Sequence, residues 1–283
     1  MLFLRLLRVS DPLYFVSFVS FVFQSFTLHV LFRNALRYCR VPSSRKTLMK
    51  IPYVAAALLA FAAPALAAEI KPFHAEYATL RNGDEVGRTT LDLADNGDGS
   101  WTLRSETRGT SGLAKLAGIH IVETSRFHWK DGRPEAFLYD YKQEGAFKQR
   151  TRHADFDSKG GGARVSEGGK DFRYAIVPGL IDRQAVTLAL ASDLMRGATT
   201  FEYPVAVKDR VETMRYTRGA VETVKVPAGE YKAQLMQRDG EPGADRKRVA
   251  RSWFAESLGW MPVEIEQTEK KGDTVTLKLV AVR

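Results

Sequence analysis

The sequence predicts a mainly β protein, an antiparallel barrel or half-barrel of about twelve strands with one packed amphipathic helix. Three observations predict this fold. From residue 73 onward, short runs alternate apolar and polar residues, as strands with one buried face do. Clusters of Gly, Asn and Asp, which tolerate positive φ, separate these runs. A sheet of about twelve strands does not stay flat, so we expect it to curl.

The strands and turns follow in order along the chain. Alternation is clearest in residues 101–106 and 133–141, which we expect to be strands. Hairpin turns are expected where Gly stands beside Asn or Asp, at residues 81–84, 95–99, 130–132 and 271–273. Near the end of the chain, we expect a strand over 252–254 to turn through 256–259 and to pair back through 262–265.

One segment has the period of a helix instead. Asp182 is a suitable capping residue, Val186, Leu190 and Leu194 recur every four positions, and Gly197 is suited to end the helix. In an otherwise β context, such a helix either fills the open mouth of the curled sheet or acts as a mobile lid. We expect Val186, Leu190 and Leu194 to form its inward face.

Residues 49–67 have the three parts of a secretory signal peptide. A positive start at Lys50 precedes an apolar run over residues 51–66, and Ala65 and Ala67 provide the small residues that cleavage requires. The alternative is a membrane anchor, but the run is shorter than the ~20 residues of a membrane span. We therefore predict cleavage before Ala68 and export to the periplasm.

Residues 1–48 are unusual for an exported protein. Met49 is itself a good start, so we interpret this stretch as an upstream start-codon extension. The alternative is a membrane helix over residues 13–32, which carry no charge and have the required length. In either case, residues 68–283 are predicted to form a single exported β domain that does not span the membrane.

Composition excludes several classes of function. Of the 42 Lys and Arg and the 33 Asp and Glu, eight basic and one acidic residue lie in the first 50 positions, which leaves 34 against 32. A nearly neutral exported domain is not expected to bind nucleic acid. The single Cys, Cys39, lies before the predicted cleavage site, so disulfides, a thiol nucleophile, Cys-ligated zinc and a lipoprotein anchor are not expected.

No motif predicts a catalytic or metal centre. His120 and His128 share strand parity, but eight residues of strand span about 26 Å, so they are too far apart for one metal. The chain contains neither a His-Glu-x-x-His motif nor a Gly-x-Ser-x-Gly elbow. We expect no catalytic residues, no metal and no cofactor, although long-range convergence of side chains is not visible in a sequence.

The inward face of the sheet is the best candidate for a ligand site. If Ile121 and Phe127 point inward, Glu123 and Ser125 do so too, because they share strand parity. A buried carboxylate is costly alone, so Glu123 should meet an Arg on a neighbouring strand, a water molecule or a ligand. The residues predicted to line the interior, as a cavity or as core, are Trp101, Glu123, Trp129, Tyr139, Tyr141 and Tyr231.

Several motifs in order resemble the bacterial exported proteins grouped as domain of unknown function 3108. They lie at residues 73–77, 127–134, 180–188, 224–231 and 252–265. The resemblance covers nearly all of residues 68–283, and it implies export but no activity. The last motif is similar to a Trp-turn-Pro hairpin in the curved sheets of periplasmic lipoprotein carriers, which implies a related half-barrel.

These observations favour a monomeric, non-enzymatic envelope protein that holds a lipid-like or amphipathic ligand in the concavity of its sheet. One alternative is a structural or interaction module of the cell envelope that binds a protein partner through an exposed strand edge. A second is a hydrolase of envelope polymers, which needs two carboxylates or a Ser/His pair converging in a cleft.

Overall fold

The computed structural model describes residues 70–283, apart from 147, 158–159, 161, 241–248 and 269–271. The predicted start-codon extension at 1–48 and the signal peptide at 49–67 lie outside the described residues. So does the predicted cleavage site at Ala65, Ala67 and Ala68. Within the described ranges, no helix is both long enough and apolar enough to cross a membrane.

The predicted fold class is confirmed, since antiparallel strands dominate the chain. The strands are β1 Phe73–Arg81, β2 Asp84–Asp95, β3 Trp101–Gly109, β4 His120–Lys130, β5 Arg133–Glu144, β6 Arg150–Asp157, β7 Gly162–Glu167, β8 Lys170–Tyr174, β9 Phe201–Ala206, β10 Val211–Val226, β11 Gly229–Arg238, β12 Val249–Ala255, β13 Met261–Thr268 and β14 Thr274–Val282. The helices of the described part are α1 Gly112–Leu116 and α2 Val186–Met195, with a 3-10 turn at Glu256–Leu258. The prediction of about twelve strands was too low, because short charged strands such as β7 and β8 show little alternation.

All fourteen strands form one antiparallel sheet in the order β8-β7-β6-β5-β4-β3-β2-β1-β14-β13-β12-β11-β10-β9. Each strand therefore pairs with its neighbours in sequence, except that β1 pairs with β14, with Ala75 opposite Val282. This pairing joins the two halves of the chain. It leaves β8 and β9, the strands on either side of α2, at the edges of the sheet.

The segment that leads into α2 forms backbone hydrogen bonds with both β5 and β9. Leu180 O accepts a hydrogen bond from Ala136 N on β5 at 3.0 Å, and Ile181 N donates to Pro204 O on β9 at 3.0 Å. Ala206 N donates back to Ile181 O at 2.8 Å. We call this junction the seam. Because one short segment reaches both strands, the sheet must curl until β5 lies near β9.

The predicted turns rest on residues that adopt positive φ. Asn82 and Gly83 have φ values of 52° and 94° between β1 and β2, and Asp131 and Gly132 have 52° and 72° between β4 and β5. The hairpin predicted near the end of the chain is also present. In it, β12 and β13 flank the 3-10 turn, Gly259 has a φ of 65°, and Phe254 lies opposite Pro262.

Helix α2 is buried on every side rather than amphipathic, so that part of the prediction was wrong. All of its residues except Met195 are buried, including Val186, Leu190 and Leu194. It packs into the apolar core formed by the inward side chains of the curled sheet, such as Leu91. A helix surrounded by sheet has no solvent face, and its apolar and small residues therefore continue around its circumference.

Both ends of α2 are fixed to β4 and β5 or to the turn between them. At its start, Asp182 Oδ1 accepts hydrogen bonds from Gln184 N at 2.9 Å and Ala185 N at 3.0 Å, in the turn before the first helical residue. At its end, Ser192 Oγ donates to the carbonyl oxygen of Gly132. The helix thus fills the end of the interior that lies under the β4–β5 turn.

Candidate functional site

The inward faces of β3, β4, β5 and β6 carry a row of polar side chains. Ser105 lies opposite Glu123, Glu123 opposite Tyr141, and Tyr141 opposite Arg152. We call these four residues the polar row. All four are buried. The row lies beyond the N-terminal end of α2, in the part of the interior that the helix does not fill.

Glu123 is fully buried, at 0% exposure, and its carboxylate accepts a hydrogen bond from the Tyr139 hydroxyl. The sequence predicted an arginine, a water molecule or a ligand as the partner of Glu123, whereas the hydrogen bond that the structure shows comes from a tyrosine on the neighbouring strand. The next inward residue of β4, Ser125, has its Oγ 2.7 Å from Asp182 Oδ1 and 2.9 Å from Gln184 Oε1. These contacts hold the turn before α2 against β4, next to the polar row.

Arg183 lies in this turn, between Asp182 and Gln184. It is 1% exposed, and it has the largest volume among the fully buried side chains. Nevertheless Nε, Nη1 and Nη2 of its guanidinium form no hydrogen bond within the described part of the chain. A buried charge without a partner costs several kcal/mol, and such a group therefore requires an explanation.

The electrostatic neighbours of Arg183 come from both sides of the seam. Its pKa is lowered to about 10, mainly by burial and then by the positive charge of Arg152 on β6. Tyr139 and Glu212 act in the opposite direction, and Arg238 on β11 adds to the lowering. The groups that act electrostatically on the guanidinium therefore belong to inward side chains of β5, β6, β10 and β11.

Two carboxylates of this part of the sheet, Glu167 on β7 and Glu212 on β10, are engaged by other arginines. Glu167 Oε2 accepts a hydrogen bond from Arg152 Nε at 2.6 Å, and Arg150 Nε donates to Glu167 Oε1 at 2.8 Å. Glu212 forms an ion pair with Arg210. Arg152 Nη2 also lies 2.6 Å from Glu167 Oε2, but it lacks the angle of a hydrogen bond and has no other acceptor among the described residues.

Tyrosine hydroxyls and an amide complete the polar surroundings. Burial raises the pKa of Tyr174 and of Tyr216 to about 12, and it also raises the pKa of Tyr141. These side chains therefore stay neutral at physiological pH and are able to donate hydrogen bonds. Gln143 Oε1 accepts from the Tyr141 hydroxyl at 3.1 Å, whereas Gln143 Nε2 is buried without an acceptor in the described chain.

The predicted lining residues fall into separate groups. Glu123, Tyr139 and Tyr141 lie together beside the polar row. Trp101 and Trp129 pack edge to face with ring centroids 6.2 Å apart, in the core that contains α2. The remaining one, Tyr231, donates its hydroxyl to Ala228 O at 3.1 Å, beside the turn between β10 and β11.

The histidines do not converge, and no group of three metal-ligating residues occurs in the described ranges. Three of the described histidines pair with carboxylates on the outward face. His74 Nδ1 lies 2.5 Å from Asp92 Oδ1, His120 Nε2 lies 3.0 Å from Glu106 Oε1, and His153 Nδ1 lies 2.7 Å from Asp140 Oδ1.

Sequence reasoning missed the arginines of the interior. Arg183 stands directly after the predicted capping residue, where a charged side chain is ordinarily exposed. Arg152 and Arg238 belong to strands that also carry charged residues outside the core, such as Asp155 on β6 and Lys232 on β11. The strand parity of Arg152, shared with Ala154 and Phe156, was the available signal.

Comparisons with known proteins agree with this architecture. Residues 73–280 match the family model described as "Protein of unknown function (DUF3108)". Among solved structures, the chain is similar to a β-barrel-like protein of domain of unknown function DUF1849 from Brucella abortus, with a TM-score of 0.50 and 12% identity. The match covers 76% of this chain and 98% of that one, and it concerns the fold alone. No curated protein matches the chain.

Proposed function

We propose that this chain, which belongs to the DUF3108 family of proteins of unknown function, is an exported, non-enzymatic protein that holds a lipid-like or amphipathic ligand inside its curled sheet. The observation that carries the proposal is the polar row beyond the N-terminal end of α2. A protein that needed only a solid core would bury apolar side chains there, because burying polar groups costs free energy unless each is satisfied.

The surroundings of the row suit an amphipathic molecule. Apolar side chains continue from the row toward β6, β7 and β8, and they include Phe156, Val165 and Phe172. Polar donors and an apolar wall in one interior are the usual composition of a small-molecule site. The alternative role, an envelope interaction module, explains an exposed strand edge but not a buried row of polar residues.

Export rests on the sequence. The predicted signal peptide at residues 49–67 directs the chain to the periplasm, where a lipid-like molecule has to be shielded from water. The helix residues Val186, Leu190 and Leu194 would then close one end of the site, as a plug under the β4–β5 turn. The proposed form is a monomer that encloses its ligand alone.

Binding of an apolar fluorescent probe tests the proposal. N-phenylnaphthylamine should gain fluorescence saturably with the wild-type protein, with one probe per chain, and dodecanoate should displace it. Ser105→Trp places a large side chain in the polar row and should abolish this signal. Thr102→Trp, on the same strand but the opposite face, should not change it.

Circular dichroism establishes that both variants remain folded. If Ser105→Trp does not fold, Ser105→Leu provides a smaller obstruction at the same position. Probe binding that is absent in the wild type, or equal in a folded Ser105 variant, would contradict the proposal.

A further inference from the structure

Arg183 differs from the other arginines that border α2. Arg133 Nε donates to Asp193 Oδ1 at 3.0 Å, and Arg196 also pairs with that carboxylate, so both charges are compensated within the chain. Arg183 is more deeply buried than either, and its three nitrogens have no acceptor among the described residues. A structural arginine would be expected to resemble Arg133. The surroundings of Arg183 therefore indicate a partner from outside the described part of the chain.

The neighbouring acidic residue does not compensate this charge. Asp182 precedes Arg183, but its Oδ1 atom is used by Ser125 and by the backbone N–H groups of Gln184 and Ala185. Its Oδ2 atom is buried and forms no hydrogen bond with a described residue. The turn thus holds the Asp182 carboxylate toward β4 and leaves the guanidinium of Arg183 without a hydrogen-bond acceptor among the described residues.

The unused groups beside Arg183 are also donors. Gln143 Nε2 is buried without an acceptor in the described chain, and Arg152 Nη2 is buried 2.6 Å from Glu167 Oε2 in an ion pair that lacks the angle of a hydrogen bond. Arg152 is close enough to lower the pKa of Arg183, so the two guanidinium groups repel each other. Glu167 compensates Arg152 only in part, because it also pairs with Arg150. Positive charge and surplus N–H groups in a buried place favour an added negative charge with several acceptor oxygens.

We propose that Arg183 and Arg152 form an oxyanion site, which binds the acidic group of the ligand, such as a carboxylate or a phosphate. This inference rests on the proposed function and names the ligand as an acidic amphiphile. A planar guanidinium offers two parallel N–H donors to such an oxyanion. The apolar part of the molecule contacts the apolar side chains beside the polar row, which include Tyr139, Phe156 and Val165.

Four probes separate the possible sources of the oxyanion. Dodecanoate carries a carboxylate, dodecyl phosphate a phosphate, dodecanol the same chain without charge, and inorganic phosphate a free oxyanion without a chain. Isothermal titration of the full chain should give tighter binding for an acidic amphiphile than for dodecanol, by about 10- to 100-fold. The tighter of the two acids identifies the head group.

Arg183→Met removes the charge and keeps the length of the side chain. It should weaken binding of the acidic amphiphile by about 10- to 100-fold and leave binding of dodecanol unchanged. Arg183→Lys, which keeps the charge but not the fork, should give an intermediate affinity. Arg126→Gln, on the exposed face of β4, is the matched control and should bind as the wild type does.

The melting temperature of the ligand-free protein distinguishes an oxyanion site from a structural arginine. An oxyanion site without its ligand carries an uncompensated charge, so Arg183→Met should melt at the same temperature as the ligand-free wild type or at a higher one. A marked decrease in melting temperature would instead indicate a partner within the chain and would overturn the inference.

The outcomes also separate this inference from the proposed function. If dodecanol binds as tightly as the acids, or if Arg183→Met binds the acids as tightly as the wild type does, the oxyanion site is refuted and the proposed function stands. If no amphiphile binds but inorganic phosphate raises the melting temperature of the wild type and not of Arg183→Met, the oxyanion site stands and the proposed function fails. If no probe binds, both are refuted.

Discussion

At the scale of single residues, the turn before α2 places two ionisable side chains in the interior. Asp182 and Arg183 are both almost completely buried, yet they are not paired with each other. Burial alone would favour the neutral form of each side chain. The contacts of Asp182 with Ser125 and the packing of α2 therefore offset the cost of burying these two side chains.

Asp182 should make stability depend on pH. Burial raises its pKa from 3.8 to about 6, so the folded state holds the proton more tightly than the unfolded chain. The stabilising effect of that proton is complete below pH ~4 and is lost as the pH rises through ~6. Between pH 4 and pH 7, Asp182→Asn should gain about 3 kcal/mol in free energy of unfolding relative to the wild type.

Urea denaturation at a series of pH values measures this difference. Asp171→Asn, on the exposed strand β8, should follow the wild type at every pH. A difference between Asp182→Asn and the wild type that is constant from pH 4 to pH 7 would show that Asp182 has the same pKa in both states.

At the scale of secondary structure, a buried carboxylate fixes α2 to the sheet. Asp193 Oδ2 accepts a hydrogen bond from the Tyr203 hydroxyl on β9 at 2.8 Å and lies 2.7 Å from Arg133 Nη2 on β5. Asp193 is 0% exposed. The helix is therefore connected through one side chain to the two strands that meet at the seam.

Asp193→Ala should destabilise the protein by about 2–4 kcal/mol, because it leaves the buried Tyr203 hydroxyl and Arg133 without their acceptor. Chemical denaturation followed by circular dichroism gives this value. Glu202→Ala removes a comparable carboxylate from an exposed pair with Arg215 and should cost less than about 1 kcal/mol. Equal losses in the two variants would show that Asp193 does not fix the helix.

At the scale of the whole molecule, patterning and turn chemistry were sufficient for the fold class. Alternation identified strands such as β3 and β5, and Gly beside Asn or Asp identified the turns between them. The curl of the sheet was predicted from the number of strands, but the place where β5 and β9 meet was not, because it depends on Leu180 and Ile181 hydrogen bonding to both strands. Neither residue has a local signal for such pairing.

The candidate site was only partly predictable for the same reason. Strand parity placed Glu123, Tyr139 and Tyr141 on one inward face, and the structure brings them together. Parity carries no information about which strands meet across the interior. The approach of Arg183 to Arg152 and Arg238 follows from the curl of the sheet and from the turn before α2, neither of which is a property of a short sequence window.

The central claim is that the interior of this protein holds an acidic amphipathic molecule. Native mass spectrometry of the full chain, expressed and purified without detergent, tests it most directly. The account predicts a mass above that of the polypeptide by one bound molecule, which organic solvent releases and which ionises as an anion. A polypeptide of bare mass that also takes up no dodecanoate or dodecyl phosphate when these are added would contradict it.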